Sequence, residues 1–302
     1  MTWKTTTASQ LKQYYQNEFP EYIPEIPAFI RESKSKQIGI AFPEAHPVEG
    51  ERIPAKDFVR RPLFDSDEPY RNNSIDQWRG ENSIVEFVQS PGSNDPIEGK
   101  HALASPELID QPSIPEAVYY AVDFYDRNWA LVVDIDAKDV ALEWAKQQLS
   151  TAQNKTNEEI KRKAGVFEAA PEGYPYRFDD IDRAVEYGFE VKEFFRDNLA
   201  STATQAVYSG QGCHVYLHDE DPMYRYGEQN RELITHHLIH ELGIPIDKPV
   251  TTDPSRVMRL PYSLHADVSR VVTPISSPDF DYREEAKPQF LTDADAPLSD
   301  SQ

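Results

Sequence analysis

Hydrophobic residues recur with the spacing of an α-helix in several segments of the chain, and each such segment predicts a helix with one apolar face. In one of them Val140, Ala141 and Trp144 share a face, and in another Ile181 and Val185 do so. The predicted helices cover residues 7–19, 138–153, 179–199 and 228–242.

Short runs of β-branched and aromatic residues lie between these helices and predict strands. Prolines recur with poor periodicity from residue 20 to residue 115, which predicts strands joined by long loops. Further strands are predicted over residues 117–125, 129–133, 206–208, 213–217, 257–260 and 271–275. This order of elements predicts an α/β or α+β domain with a mixed sheet and peripheral helices.

The chain of 302 residues is long enough to bury a substantial core, and residues 1–277 are predicted to form one domain. Residues 278–302 are acidic and rich in Asp, Pro and Ser, and they are predicted to be a disordered tail. No apolar run approaches 18 residues and the N-terminus lacks a signal-type apolar segment, which predicts a cytoplasmic protein without a membrane partner.

The formal net charge is −21, from 31 Lys and Arg against 52 Asp and Glu. One interpretation is a protein that never touches nucleic acid, because phosphate contacts favour basic proteins. The other is a surface kept solvated in a very salty cytosol, with a basic site inside a cleft. A single cysteine, Cys213, excludes an intramolecular disulfide and a multi-cysteine zinc site, so no zinc is expected.

Asp134 and Asp136 follow an apolar run that ends in VVDID. Residues i and i+2 of a strand point to the same face, so both carboxylates are predicted to face one spot. Such carboxylates repel each other unless a cation lies between them, and Mg²⁺ or Mn²⁺ prefers oxygen ligands. The alternative is structural, with Asp136 capping the helix that follows.

The segment SGQGCH, from Ser209 to His214, joins two apolar runs and predicts a hairpin. Gly210 and Gly212 allow the backbone to approach a ligand closely, and Ser209 and His214 are natural phosphate contacts. An ordinary hairpin turn is the alternative. Strand alternation turns Cys213 away from His214, which predicts a buried cysteine rather than a nucleophile.

The segment DKPVTTDPSRVMRLPYSLH, residues 247–265, concentrates acidic, guanidinium and imidazole groups. Arg256 and Arg259 are suited to a polyphosphate, because guanidinium groups bind phosphate oxygens in pairs. A solvated loop followed by a strand with surface arginines is the alternative, but it does not explain why this segment occurs together with the other two.

In this order the three segments resemble the motif set of the catalytic small subunit of archaeo-eukaryotic DNA primases. The resemblance covers roughly residues 28–275 and is dense in the three motifs. Weaker similarity lies upstream, at Arg31 and Glu32, at Phe58 to Arg61 with Phe64, and at Val118 to Tyr120.

The resemblance implies a primase-type catalytic domain over residues 1–277 that joins nucleotides on a single-stranded DNA template. It implies that Asp134, Asp136 and Asp247 bind two Mg²⁺ or Mn²⁺ ions for two-metal nucleotidyl transfer from NTP or dNTP. It also implies that the triphosphate is held by Ser209, His214, Arg259 and His265. A primase large subunit or a replication helicase is the implied protein partner.

The chain departs from the family pattern at three places. Residues 137–208 contain no cysteine, whereas many members carry a cysteine-rich zinc knob there. Gln211 stands where an arginine is usual, and the residues Ala266 to Val268 lack the basic residue that often follows the SLH element. These differences favour a plasmid, viral or otherwise divergent branch over a chromosomal replicative role.

Two other functions fit parts of the pattern. A metal-dependent nuclease or phosphohydrolase also uses clustered aspartates and arginines, but it needs no nucleotide substrate. A catalytically dead accessory subunit would keep the fold to bind DNA or a partner, and the presence of all three aspartates argues against it.

The acidic surface predicts a dependence on salt. At molar KCl the Debye length falls to about 3 Å, so the carboxylates repel each other less and only close cationic contacts act on a nucleic acid. We expect thermal stability and nucleotide incorporation to rise with KCl up to the molar range. A protein that is fully folded and most active near ~0.1 M KCl, and weakens steadily above it as ordinary basic binders do, would refute this interpretation.

Overall fold

The computed structural model describes residues 3, 5–27, 30, 37–44, 53–62, 117–121, 130–149, 155–199, 203–218, 226–254 and 256–289. In this part of the chain, helices combine with antiparallel sheets, so the fold is α+β, as predicted. None of the helices in these ranges has both the length and the apolarity needed to cross a membrane.

The predicted N-terminal helix is present but is divided into short pieces. Thr7 begins it with a capping box, in which its hydroxyl accepts from the Gln10 backbone while the Gln10 side chain accepts from the Thr7 backbone. Tyr14, Tyr15 and Phe19 on its inner face are fully buried. The pieces are α1 (Ala8–Gln13), a π-helical turn (Tyr14–Glu18), α2 (Phe19–Tyr22) and a 3₁₀ turn (Ile23–Glu25).

The three later helices that the sequence predicts lie close to their expected positions, and shorter helices lie between and after them. The helices after the N-terminal segment are α3 (Ala137–Gln148), α4 (Asn157–Lys163), α5 (Val166–Ala169), α6 (Phe178–Asn198), α7 (Glu228–His240) and α8 (Lys248–Thr252). After α7 the chain turns through Gly243 with a φ of 70°, a conformation that glycine adopts at little cost.

Within the described ranges the strands form three sheets. The strands are β1 (Gln37–Glu44), β2 (Ile53–Pro62), β3 (Ala117–Ala121), β4 (Ala130–Asp136), β5 (Ala203–Tyr208), β6 (Gly212–His218), β7 (Val257–Arg259), β8 (Leu264–His265), β9 (Arg270–Val271) and β10 (Thr273–Ile275). The central sheet has the order β10-β5-β6-β4, and the second sheet has the order β2-β1-β3-β7. Strands β8 and β9 form a separate pair.

The mixed sheet predicted from the sequence is not found, because every strand pair in the described residues is antiparallel. A helical connection such as the one from β4 to β5 is typical of strands that run parallel in one sheet. Strands β4 and β5 do run in the same direction, since both pair antiparallel with β6. However, β6 lies between them, so the predicted hairpin supplies the central strand.

The central sheet is buried on both faces. One face, with Val133, Ile135 and Val215, packs in a cluster with residues of α3 and α6. The opposite face, with Val132 and Tyr216, packs in a second cluster with the N-terminal helical segment and β7. A strand covered on both sides is expected to be apolar throughout, so Asp134 and His214 on the second face are exceptions that need an explanation.

The predicted disordered tail is wrong for residues 278–289. Tyr282 and Ala286 are buried at 0% and 1% exposure. The buried guanidinium of Arg270 donates to the carbonyl oxygens of Tyr282 and Arg283, and Val271 donates to that of Ala286. Composition did not indicate this order, because these bonds come from Arg270 and Val271, which lie outside the segment. Residues 290–302 lie outside the described residues.

Helix α6 packs closely on β6 at Gly188. A side-chain carbon at this position would overlap the Sγ of Cys213 and lie 3.2 Å from its Cβ. Cys213 is fully buried on the helix-covered face, away from His214, as strand alternation predicted. Glycine inside a 21-residue helix is otherwise unfavourable, so this contact explains its presence.

We expect Gly188→Ala to lower the free energy of unfolding by about 1–3 kcal/mol, because overlap with Cys213 outweighs the ~1 kcal/mol that alanine adds to helix propensity. In a Cys213→Ala background the sulfur is gone and the same change should cost clearly less. Urea unfolding of the four proteins of this cycle measures the difference. An equal cost in both backgrounds would contradict the proposed contact.

Candidate metal centre

Strand β4 delivers two carboxylates to one face of the central sheet. Asp134 pairs with His214 and Asp136 pairs with Gly212 across the β4–β6 ladder. Asp136 occupies the N-cap position of α3, but its side chain makes no capping hydrogen bond. The alternative role of Asp136 as a helix cap is therefore wrong, and its carboxylate is available to the cluster.

Helix α8 brings the third carboxylate to the same place through backbone bonds with Asp134. The Asp247 amide donates to the Asp134 carbonyl at 2.9 Å, and the Asp134 amide donates to the buried Thr251 hydroxyl at 3.2 Å. Asp247 also caps α8, since its Oδ1 accepts from the Val250 amide at 3.1 Å. One oxygen thus fixes the helix, and Oδ2 lies on the side of the cluster where Lys138 is found.

The three carboxylates converge as the sequence predicted. One oxygen from each of Asp134, Asp136 and Asp247 lies within 4.8 Å of the others. Hard divalent cations bind carboxylate oxygens at about 2.0–2.6 Å, so two ligands of one ion are at most about 5 Å apart. Asp134 Oδ1 is buried and accepts no hydrogen bond, a state that a bound cation would relieve. The donor set fits a divalent metal ion.

The positions of these groups shift the ionisation of Asp136. Burial and the neighbouring Asp134 raise the pKa of Asp136 to about 6, although Lys138 opposes the shift. The Lys138 ammonium hydrogen-bonds Asp136 Oδ2 and lies 3.5 Å from Asp247 Oδ2. Burial of Lys138 is outweighed by these carboxylates, which raise its pKa and keep it charged. Sequence reasoning missed Lys138, although it follows Asp136 by two residues.

His214 lies beside the acidic cluster. Its Nε2 is 3.3 Å from Asp134 Oδ1, and its Nδ1 is 3.4 Å from the Tyr216 hydroxyl. The imidazole is buried, and the neighbouring positions of β6 hold it on the face of the sheet that carries Asp134. The predicted phosphate contact is therefore next to the predicted metal ligands.

The turn between β5 and β6 is closed by bonds to its backbone. The Ser209 amide donates to the Gly212 carbonyl at 3.0 Å, and the buried Tyr208 hydroxyl donates to the Gly210 carbonyl at 2.6 Å. The Gln211 carbonyl accepts from the Ala137 amide at 3.0 Å, which joins the turn to the start of α3. Ser209 is itself buried at 5% exposure.

Both glycines of this turn are required by contacts within the protein. A Cβ on Gly212 would overlap the carbonyl oxygen of Ile135, so the end of the β4–β6 ladder needs glycine. Gly210 has a φ of +105°, and a Cβ there would lie 2.7 Å from the Cβ of His265. The turn therefore packs directly on His265. Close approach of a ligand to these glycines stays a prediction.

The predicted arginines differ in their placement. Arg259 lies on β7 opposite Tyr119, and its guanidinium is 5.1 Å from the centre of the Tyr119 ring. Arg256 is exposed in the turn after α8, and no hydrogen bond or ion pair among the described residues joins it to the acidic cluster. Strand β2 contains Arg60 and Arg61, whereas Arg31, Glu32 and Phe64 lie outside the described residues.

Comparison with known proteins gives a partial relationship. No protein-family model matches the chain. A segment of 90 residues is 36% identical to an uncharacterized DNA primase small subunit-like protein of Archaeoglobus fulgidus. The match covers 29% of this chain and 31% of that protein, so the chain spans less than a third of the relative that it matches. Over this segment the chain is similar to a DNA primase small subunit-like protein.

We expect Mn²⁺ to raise the melting temperature of EDTA-treated protein more at pH 7.5 than at pH 5. Above pH 6 the Asp136 carboxylate is ionised, whereas below it the ion has to displace a proton, which weakens binding by up to about tenfold per pH unit. Thermal unfolding with and without Mn²⁺ from pH 5 to pH 8 measures this. Asp136→Asn should abolish the shift, and the exposed Asp197→Asn should retain it. Equal stabilisation at both pH values would contradict the assignment of Asp136.

Proposed function

We propose that this protein is a metal-dependent nucleotidyltransferase that makes or extends nucleic-acid strands on a single-stranded DNA template. The observation that supports it best is the convergence of Asp134, Asp136 and Asp247, one oxygen from each lying within 4.8 Å of the others, beside His214. The partial match to a primase small subunit-like protein adds support of a coarser kind.

In this proposal Asp134, Asp136 and Asp247 hold two Mg²⁺ or Mn²⁺ ions. When bound, such ions supply a lowered pKa for the attacking 3′-hydroxyl and positive charge for the leaving pyrophosphate. The chain contributes the geometry. Backbone bonds to Asp134 fix Asp247, and the β4–β6 ladder fixes Asp134 and Asp136, so little reorganisation is needed when substrate arrives.

The triphosphate is assigned to groups at the turn between β5 and β6, together with two arginines of the segment that follows α8. His214 and Ser209 supply an imidazole and a hydroxyl from the turn and the start of β6, and His265 packs on Gly210. Arg259 adds a guanidinium from β7. The backbone of Gly210 and Gly212 and the exposed Arg256 complete the proposed substrate site. NTP or dNTP is the proposed substrate.

A direct test is nucleotide incorporation in molar KCl. Protein, primed or unprimed single-stranded template, labelled NTP or dNTP and Mn²⁺ or Mg²⁺ should give extended product and pyrophosphate. Asp134→Asn should lower the rate by about 100-fold or more, since it removes a charge that acts on the transition state. Asp197→Asn, on the exposed end of α6, is the matched control and should keep the wild-type rate.

Two results would reject the proposal in favour of another function. Cleavage of the template without added nucleotide would identify a nuclease or phosphohydrolase. Template binding without incorporation under any of these conditions would identify an accessory subunit that has kept the fold.

A further inference from the structure

Lys138 occupies a position that none of the assigned roles uses. Its ammonium hydrogen-bonds Asp136 Oδ2 and lies 3.5 Å from Asp247 Oδ2, between two of the three carboxylates of the candidate metal centre. The residue belongs to the first turn of α3, directly after β4, so the local backbone directs it to the cluster. Its side chain is 47% exposed, and the long stem can move its charged group outward.

The electrostatics of the cluster require a positive charge in this place. Three carboxylates with oxygens within 4.8 Å of one another repel strongly, and Asp134 is almost fully buried. A divalent ion bound at about 2.0–2.6 Å from the same oxygens would lie close to an ammonium that kept its present position. The two cations would repel each other there, so the ion and the ammonium compete for the same carboxylates.

We infer that Lys138 is a resident counter-ion of the metal centre, which stabilises the metal-free cluster and competes with the divalent ion for Asp136 and Asp247. This inference rests on the proposed function, because it assumes that the cluster binds metal. Backbone hydrogen bonds fix Asp134 and Asp247. In the described contacts, by contrast, the side chain of Lys138 is held only through its ammonium group. Metal binding therefore displaces the lysine and leaves the carboxylates where they are.

Displacement gives the lysine a second role in the proposed reaction. The released ammonium needs a new anionic partner, and the nucleotide triphosphate is the anion that the proposed function brings to this centre. Competition by Lys138 also lowers the affinity for free metal ions. The centre then binds metal most tightly when a polyphosphate is present to accept the lysine, which couples the two binding events.

The test compares metal affinity without nucleotide. Mn²⁺ is titrated into EDTA-treated full-length protein at pH 7.5, and bound Mn²⁺ is measured by electron paramagnetic resonance. Lys138→Met, which keeps the stem and removes the charge, should bind Mn²⁺ roughly tenfold more tightly than wild type. Lys138→Arg should stay near the wild-type affinity. Lys146→Met is the matched control, since Lys146 lies on the same helix with a 44% exposed side chain and a surface partner.

A second measurement tests the stabilising half of the inference. Without metal, Lys138→Met should melt at a lower temperature than Lys146→Met, and Mn²⁺ should reverse the difference. If Lys138→Met is unfolded without metal, Lys138→Gln, which keeps a hydrogen-bond donor, replaces it in both measurements.

The outcomes separate this inference from the proposed function. Unchanged or weaker Mn²⁺ affinity in Lys138→Met, with wild type binding normally, overturns the competition and leaves the metal centre in place. Absence of Mn²⁺ binding in every variant overturns both. Equal melting temperatures of Lys138→Met and Lys146→Met without metal overturn the counter-ion role.

Discussion

Repulsion among three carboxylates at the end of β4 is the constraint to which the surrounding structure responds. Asp134, Asp136 and Asp247 would separate if they were free to move, and burial strengthens their repulsion because water no longer screens it. Burial and, after it, the neighbouring Asp134 raise the pKa of Asp136 to about 6. The ammonium of Lys138 offsets part of the repulsion among the carboxylates.

The position of β4 in the central sheet explains how the third carboxylate is held. In the described residues β4 is an edge strand, with β6 on one side. Its other side offers backbone groups that are not used in the ladder, and α8 occupies them at Asp134. The unpaired N–H and C=O groups of an open strand edge can pair with a strand of another chain. Here the same edge is covered by a helix whose N-cap residue, Asp247, is one of the proposed metal ligands.

The three segments that carry the candidate site residues meet through close packing at two glycines. Gly212 permits the β4–β6 ladder to continue past Ile135 to Asp136, and Gly210 permits His265 to lie against the turn. Gln211 then links the turn to the first residue of α3. These contacts bring β4, the turn and the segment after α8 together. The proposed substrate site is therefore assembled by the fold.

The sequence by itself determined the features that depend on local periodicity, namely the faces of strand residues and the positions of the long helices. Alternation along a strand placed Asp134 and Asp136 on one face and turned Cys213 away from His214, and helical spacing located α3, α6 and α7. Motif resemblance, rather than periodicity, indicated that Asp247 would join them. These inferences succeeded because the face that a side chain occupies is decided by its nearest neighbours in the chain.

Only the tertiary structure decided which distant groups meet. Local patterns did not reveal that β6 lies between β4 and β5, that Lys138 offsets the charge of Asp136 and Asp247, or that Arg270 orders residues 278–289. Each of these depends on a hydrogen bond, a strand pairing or an ion pair whose partner is chosen by the packing of the whole domain. Hydrophobic periodicity reports which face of an element is buried, but it carries no information about which element covers that face.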